Sequence, residues 1–451
     1  MTRCWALKNK KLAIVFSRTQ NPEHRSNFYF MQKKIYIASI VAAGIIWAGS
    51  QTADATVIYE QPYMTPGNAF WPQGNAIGSG KLKVYPEVAV GAYYDDNIYY
   101  DDSGEESDLI SHVIPRIRID YSLEERGHIS IGYAGDFAFH QDLSDNDWQR
   151  HDLALLLDYN APSGFFLDLA GRYTETEDPF SSENEYFLGQ QKERWYSQFG
   201  VGLGYNYDDR FKLIGYFNYN RQEYDDTAVD WDQDYDEPWY GVGLEKRLSQ
   251  KTWGFARYFH GERDYNTPSP DMSVNETTDA DYSVDWMELG LTWDATSRIT
   301  GEINFGYEWR KYDNPMNASG TPYEDGNTWL AETRINYSLK PKITDLQLIL
   351  ERAAYQRGAG TFESYDGTYL TFLLNHRFYS WFKLRLNFSV GRNDYNTDRE
   401  DDDIRAGIAL EYLVWRRFTL GVGYDYTQRD SSAPGESFTV NRVMGTVTIR
   451  Y

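Results

Sequence analysis

Apolar and polar residues alternate with a period of two along most of the chain after Lys81. This is the period of a β-strand, in which successive side chains point to opposite faces. Segment 382–390 shows it clearly, with apolar residues at Phe382, Leu384, Leu386, Phe388 and Val390. Such segments recur about 18 times, with 16 as the alternative count, and each has the length of a tilted membrane-spanning strand. The pattern predicts an all-β, antiparallel protein.

The connections between these segments fall into two classes that alternate along the chain. Short connections such as 208–210 and 414–417 are followed by longer, mostly acidic ones. The long class comprises 95–108, 175–193, 225–237, 264–281, 313–327, 358–367, 396–403 and 429–436. This sorting is typical of a transmembrane up-and-down β-barrel with short periplasmic turns and long extracellular loops. A soluble sandwich or propeller also has many short strands, but it does not sort its connections by length.

The last nine residues, 443–451, form a cleanly alternating segment that ends on an aromatic residue. Val443, Val447 and Ile449 share one face with Tyr451, and Thr446, Thr448 and Arg450 lie on the other. This ending resembles the assembly signal of bacterial outer-membrane proteins, whose last strand pairs with the first so that no edge faces lipid. The resemblance implies that the barrel-assembly machinery recognises Tyr451. The alternative is an ordinary final strand of a soluble sheet.

The composition favours the membrane alternative. Aromatic residues make up 17% of the chain, with 38 Tyr and 14 Trp, yet the mean hydropathy is −0.64 because polar residues separate the apolar ones. No segment after residue 55 approaches the roughly 18 consecutive apolar residues of a membrane helix. Tyr and Trp near strand ends predict an interfacial girdle. Its candidates are Tyr121, Tyr159, Tyr207, Trp293, Tyr337 and Tyr412.

The first 80 residues have a different character. An apolar run at 35–47 follows Lys33 and Lys34 and precedes Ala53-Asp54-Ala55, which is the order of a secretory signal and its cleavage site. We therefore expect a non-native or unassigned leader extension at 1–30, a signal peptide at 31–55 with Ala53 and Ala55 in its cleavage site, a periplasmic tail at 56–80 and the barrel at 81–451.

Charge and cysteine content exclude several kinds of site. The formal net charge is −23, which argues against binding nucleic acid through its phosphates. The single cysteine, Cys4, lies in the leader, so the exported chain has no disulfide framework or thiolate metal site. No cofactor is expected.

The first hairpin has a recognisable sequence. Residues 85–98 read Tyr-Pro-Glu-Val-Ala-Val-Gly-Ala-Tyr-Tyr-Asp-Asp-Asn-Ile, and after an acidic loop residues 113–117 read Val-Ile-Pro-Arg-Ile. Together they resemble the outer-membrane β-barrel porins associated with exopolysaccharide and capsule biosynthesis clusters. The resemblance implies an outer-membrane location, a role in passing polysaccharide, and contact with membrane lipid, lipopolysaccharide and periplasmic export components.

If the polar face lines a lumen, two sets of residues are candidates for contact with a passing solute. A basic track would consist of Arg116, Arg118, Lys212, Arg310, Arg334, Arg377, Lys383, Arg385, Arg405 and Arg442. Aromatic platforms for sugar rings would be Tyr93, Tyr196, Tyr216 and Trp286. The alternative for the charged residues is that they form cross-strand pairs with inward acids and only hold the wall together.

Two further kinds of site were weighed. Asp230, Asp232, Asp234 and Asp236 alternate like calcium ligands, but Tyr235 and Gly241 occupy the positions where an EF-hand loop needs Gly and Glu. The sequence also has no Gly-x-Ser-x-Gly or His-Glu-x-x-His motif. We therefore predict a non-enzymatic channel for polysaccharide, with a surface adhesin and an outer-membrane hydrolase as alternatives.

Overall fold

The computed structural model describes residues 76–78, 80–177, 191, 193–225, 234–265, 280–296, 298–316, 320, 322–323, 325–356 and 364–451. The predicted leader, the signal peptide and the cleavage residues Ala53 and Ala55 lie outside this part. The strands are β1 (Leu82–Asp95), β2 (Asp108–Ser122), β3 (Gly127–His140), β4 (Trp148–Asn160), β5 (Phe165–Glu177), β6 (Glu193–Tyr207), β7 (Phe211–Tyr224), β8 (Tyr235–Ser249), β9 (Thr252–Tyr265), β10 (Tyr282–Thr296), β11 (Ile299–Tyr312), β12 (Gly326–Lys340), β13 (Thr344–Gln356), β14 (Ser364–Tyr379), β15 (Phe382–Tyr395), β16 (Glu400–Trp415), β17 (Phe418–Ser431) and β18 (Phe438–Arg450).

These strands form one closed antiparallel barrel. Each strand pairs with its neighbours in the sequence, and β1 also pairs with β18. The predicted all-β, up-and-down barrel of 18 strands is therefore confirmed. Helical structure in the described residues is confined to two 3-10 turns, Glu124–Arg126 and Ser144–Asn146. None of the helical structure in that part is long and apolar enough to cross a membrane.

The two faces of the sheet separate as the alternation predicts. In β18 the outward Val443 and Ile449 are 56% and 45% exposed. Arg442 and Met444, which occupy inward positions of the same strand, are buried. In β15 the outward Phe388 is likewise exposed, and the neighbouring Asn387 and Ser389 are half-buried on the interior face. An apolar exterior and a polar interior are what a barrel in lipid requires.

Outward aromatic side chains border the apolar surface at both ends of the strands. We call the end that carries the connections 123–126, 161–164, 208–210, 250–251, 297–298, 341–343, 380–381 and 416–417 the short-turn rim, and the other end the long-loop rim. Tyr121, Tyr207 and Tyr412, three of the predicted girdle residues, are exposed at the short-turn rim. Tyr94 and Trp309 are exposed near the long-loop rim. Such girdles mark the two interfaces of a membrane.

The strand ends differ from the sequence prediction at several connections; for example, β14 begins at Ser364, inside the predicted loop 358–367. A connection at 141–147, absent from the predicted set, joins β3 to β4 through the turn Ser144–Asn146. Residues 400–403 were assigned to a loop because they are acidic, but they begin β16. Asp401 and Asp403 are buried there because Arg399 and Arg429 neutralise them.

Two short turns depend on glycine in the left-handed region of backbone space. Gly127 and Gly164 have φ values of 145° and 94°, which other residues rarely adopt. A Cβ atom at Gly127 would lie 1.9 Å from the carbonyl oxygen of Asp158, and one at Gly164 would lie 2.7 Å from that of Asn206. These glycines allow neighbouring hairpins to approach closely at the short-turn rim.

The seam between β1 and β18 is fastened near the long-loop rim by the motif that carries the family resemblance. The Arg442 guanidinium donates to Asp95 at 2.5 Å, and both side chains are buried. The Asn97 side-chain amide donates to the carbonyl oxygen of Thr439 at 3.1 Å. Asp96 accepts hydrogen bonds from the backbone and side-chain nitrogens of Asn441. The motif therefore joins the first strand to the last.

A second ion pair closes the same seam nearer the short-turn rim. Arg450 donates to one oxygen of Glu87 at 2.7 Å, and Arg116 donates to the other oxygen at 2.7 Å. The Glu87 side chain is only 3% exposed. One carboxylate on β1 is thus bonded to both neighbouring strands, β18 and β2.

We predict that Arg442→Ala will destabilise the folded barrel by about 3–5 kcal/mol, because it leaves the buried Asp95 carboxylate without its partner. The measurement is urea-induced unfolding of protein refolded in detergent, followed by tryptophan fluorescence. Arg392→Ala is the control: this arginine lies on the outer surface, where solvent screens its ion pairs. Equal losses in both variants would show that the seam contact has no special role.

Candidate functional site

The interior face of the barrel is the candidate site, and its composition changes along the barrel axis. In β2 the inward residues from Asp108 to Arg116 are buried, whereas Arg118, Asp120 and Ser122 toward the short-turn rim are half-exposed. In β4 the inward residues Trp148 to Ala154 are likewise buried. Interior side chains therefore pack against one another in the long-loop half and are more open to solvent in the short-turn half.

The structure places all ten residues of the predicted basic track on the interior face. Nine of them form an ion pair with a described carboxylate at 4 Å or less. The pairs are Arg116–Glu87, Arg118–Asp120, Lys212–Glu245, Arg310–Glu308, Arg334–Glu332, Lys383–Glu411, Arg385–Glu411, Arg405–Asp403 and Arg442–Asp95. Arg377, the tenth, has no ion pair with a carboxylate in the described residues and is exposed. Most of the track is thus neutralised within the wall.

Several of these pairs join neighbouring strands. Lys212 on β7 bonds Glu245 on β8 at 2.8 Å, and Arg385 on β15 approaches Glu411 on β16 to 2.6 Å. Cross-strand pairs of opposite charge stabilise a sheet. For these cations the wall-holding role considered from the sequence has direct geometric support.

An aromatic cluster that sequence reasoning did not identify lines the long-loop half between β8 and β15. It contains Trp239, Phe259, Tyr282, Val284, Trp286, Leu330, Ala353, Tyr365 and Tyr395. The Trp286 ring lies 5.5 Å from the Phe259 ring and 6.3 Å from the Trp239 ring, measured between centroids. The inward positions are therefore not uniformly polar.

Glycines opposite the rings allow them to lie against the wall. In the register of β8 and β9, Trp239 faces Gly261 and Gly241 faces Phe259. A Cβ atom at Gly261 would lie 2.5 Å from the Trp239 ring, and one at Gly241 would lie 2.2 Å from the Phe259 ring. Each strand thus supplies one ring and one glycine. The signal in the sequence is an aromatic residue and a glycine two positions apart on both strands.

The four predicted aromatic platforms all lie on the interior face. Trp286, Tyr93 and Tyr196 are 2%, 7% and 8% exposed, so their rings are already covered by protein. Tyr196 accepts a hydrogen bond from Arg150, and Tyr93 stacks on His112. Tyr216 is half-buried at the edge of the aromatic cluster. Of the four, only Tyr216 has a substantial surface that a solute could contact.

Three interior ion pairs contain arginines that were not in the predicted basic track. Arg257 contacts Glu288 at 2.9 Å, Arg263 contacts Glu237 at 2.9 Å and Arg429 contacts Asp403 at 2.9 Å. All three arginines occupy inward positions of their strands, so the parity of the alternation could have identified them.

The acidic loop candidates do not assemble a metal centre in the part that the structure describes. Asp230 and Asp232 lie outside it, and Asp234 accepts a hydrogen bond from the backbone nitrogen of Tyr224. No group of three His, Asp or Glu residues in the described part has the arrangement to hold a metal ion.

Comparison with known proteins identifies one family for this chain. A model of the family described as "Putative beta-barrel porin 2" matches residues 68–451. No curated protein matches the chain.

Among solved structures, similar folds include Pseudomonas aeruginosa OpdK with vanillate, at 13% identity and a TM-score of 0.44, covering 82% of this chain and 99% of that one. A BenF-like porin from Pseudomonas fluorescens Pf-5 is 11% identical with a TM-score of 0.44, covering 82% and 99%. A bacterial polysaccharide outer membrane secretin is 9% identical with a TM-score of 0.33, covering 81% and 98%.

We predict that Gly261→Ala will lower the free energy of unfolding by about 1–3 kcal/mol, because the added methyl group must displace the Trp239 ring. Gly445→Ala is the matched control, since a Cβ atom there would meet nothing within 4 Å. Urea unfolding of both variants in the same detergent provides the comparison. A Gly261→Ala protein as stable as the control would refute the ring-on-glycine packing.

Proposed function

Because the chain belongs to the family described as "Putative beta-barrel porin 2", we propose that this porin-like barrel of the bacterial outer membrane passes polysaccharide. The observation that carries the proposal is the polar, partly exposed interior in the short-turn half of a closed barrel of 18 strands. Barrels with this number of strands are wide enough for an aqueous channel.

Side-chain amides make this interior suitable for sugars. Asn206, Asn336, Gln347 and Asn387 are half-buried on the interior face near the short-turn rim, and Asn375 is exposed there. An amide group both donates and accepts hydrogen bonds, so it can bond sugar hydroxyls of either orientation. Gln347 already donates to Asn336 at 2.8 Å, which fixes both groups on adjacent strands.

The wall is rigid enough to keep such a surface in place. Ion pairs such as Lys212–Glu245 and Arg385–Glu411 tie neighbouring strands together across the interior. The aromatic cluster fixes β8 to β15 in the long-loop half. The geometry therefore supports passive passage through a preformed conduit, with the driving force supplied elsewhere.

The test is single-channel conductance of the purified protein in planar lipid bilayers, with and without glycans. We expect discrete openings, and we expect transient blockade by polymers that enter the lumen. Absence of any current, together with loss of cell attachment when the protein is deleted, would overturn the channel and favour the adhesin.

A further inference from the structure

Interior charges are unevenly paired near the short-turn rim. Lys383 and Arg385 both form ion pairs with one carboxylate, that of Glu411, at 3.5 and 2.6 Å. Arg377 lies opposite Lys383 in the register of β14 and β15, so it shares the same face. These three cations on adjacent strands therefore have one acidic partner among them, Glu411, which contacts Lys383 and Arg385.

Arg450 on β18 adds to this excess. Its partner Glu87 is also bonded to Arg116, so again two cations share one carboxylate. The backbone nitrogen of Arg450 donates to the carbonyl oxygen of Arg417, in the turn that follows β16, the strand of Glu411. Arg450 therefore lies at the same end of the barrel wall as the other three cations. We call Arg377, Lys383, Arg385 and Arg450 the basic sector.

The opposite imbalance occurs on the wall formed by β8 to β11. There Arg257 is within 4 Å of three carboxylates, Glu245 at 3.5 Å, Glu288 at 2.9 Å and Glu302 at 3.8 Å. A second cation, Lys212 on the adjacent β7, pairs with Glu245. The interior is therefore positive along one sector and negative along another, although most of its charges are paired.

Elsewhere on the short-turn rim, cations form ion pairs with nearby acids. Lys81 pairs with Glu124 at 2.5 Å, a contact that raises the pKa of the lysine and lowers that of the glutamate. Arg247 pairs with Asp209. By contrast, the turns beside the basic sector add Lys342, Arg416 and Arg417, so the positive charge extends from the interior to the rim.

The basic sector is accessible as well as charged. Arg377 is exposed, and the Lys383, Arg385 and Arg450 side chains are 32%, 16% and 21% exposed. Arginine binds carboxylates through two parallel hydrogen bonds, and rings of basic residues favour anions in pores. A sector with more cations than carboxylates is therefore suited to binding an anion.

We propose that the basic sector binds the carboxylate groups of an acidic glycan at the short-turn mouth of the barrel. This inference rests on the proposed function and names its substrate class. A polymer of uronate-type sugars would contact Arg377 and Arg385 through its carboxylates and the neighbouring amides Asn375 and Asn387 through its hydroxyls. The acidic wall around Arg257 would keep the polymer on the basic side.

The experiment compares blockade of single channels by oligogalacturonate and by neutral dextran of matched length, added to one compartment at a time. Oligogalacturonate should block from one side at a concentration about tenfold lower than dextran. Arg377→Gln combined with Arg385→Gln should weaken that blockade about tenfold, the effect of losing one charge-assisted hydrogen bond, and leave the dextran blockade unchanged. Arg392→Gln is the control, because Arg392 lies on the same strand but on the outer surface.

A second variant distinguishes loss of the binding site from misfolding, because it is expected to bind the acidic polymer more tightly, which a misfolded channel would not do. Glu411→Gln frees Lys383 and Arg385 from their shared carboxylate, so oligogalacturonate should block this channel more tightly than the unmodified one. Equal blockade by both polymers, unchanged in the double variant and in Glu411→Gln, would overturn the acidic-glycan inference while leaving the channel intact. Absence of conductance in every variant would overturn the proposed function as well.

Discussion

Hydrocarbon offers no partner for a backbone amide or carbonyl, so a sheet in a bilayer must close on itself. In this barrel the requirement falls on the pairing of β1 with β18, which extends from Glu87–Arg450 to Asp95–Arg442. An ion pair with a buried carboxylate stands at each end of that register. Asp95, Asp96 and Asn97, which carry the resemblance to porins, contact β18 or its flanking backbone. The motif is therefore explained by barrel closure, independently of any ligand.

Closure fixes what each face of the strands must do. Outward side chains form the apolar band and its aromatic borders. Inward polar side chains must find hydrogen-bond or ion-pair partners among themselves. The long-loop half does this with rings packed on glycines and with buried pairs such as Arg263–Glu237. The short-turn half leaves amides and an excess of cations in contact with solvent. The part of the interior able to meet a solute is consequently the half that is less completely paired.

The sequence was most informative where the cause is local. Alternation in β15 and β18 predicts which residues face lipid, because neighbouring residues on a strand always point to opposite faces. The sequence prediction failed where the structure depends on residues that are far apart in the chain. Asp401 and Asp403 read as loop residues, since the arginines that neutralise them become neighbours only in the folded barrel. The connection 141–147 is a different case, because its Asp, Ser and Asn residues are a turn signal that the sequence itself contains. The partner of Arg385 and the ring on Gly261 depend on inter-strand register, which composition and spacing do not reveal.

The orientation of the two faces can be measured directly on β15. Because Cys4 is the only cysteine, single cysteines can be placed at Asn387 and at Phe388 in a Cys4→Ser background and the protein reconstituted in lipid vesicles. A water-soluble, membrane-impermeant maleimide should label the cysteine at Asn387, which faces the interior, and spare the one at Phe388, which faces lipid. Efficient labelling at Phe388 with protection at Asn387 would contradict the account of an apolar exterior and a wet interior.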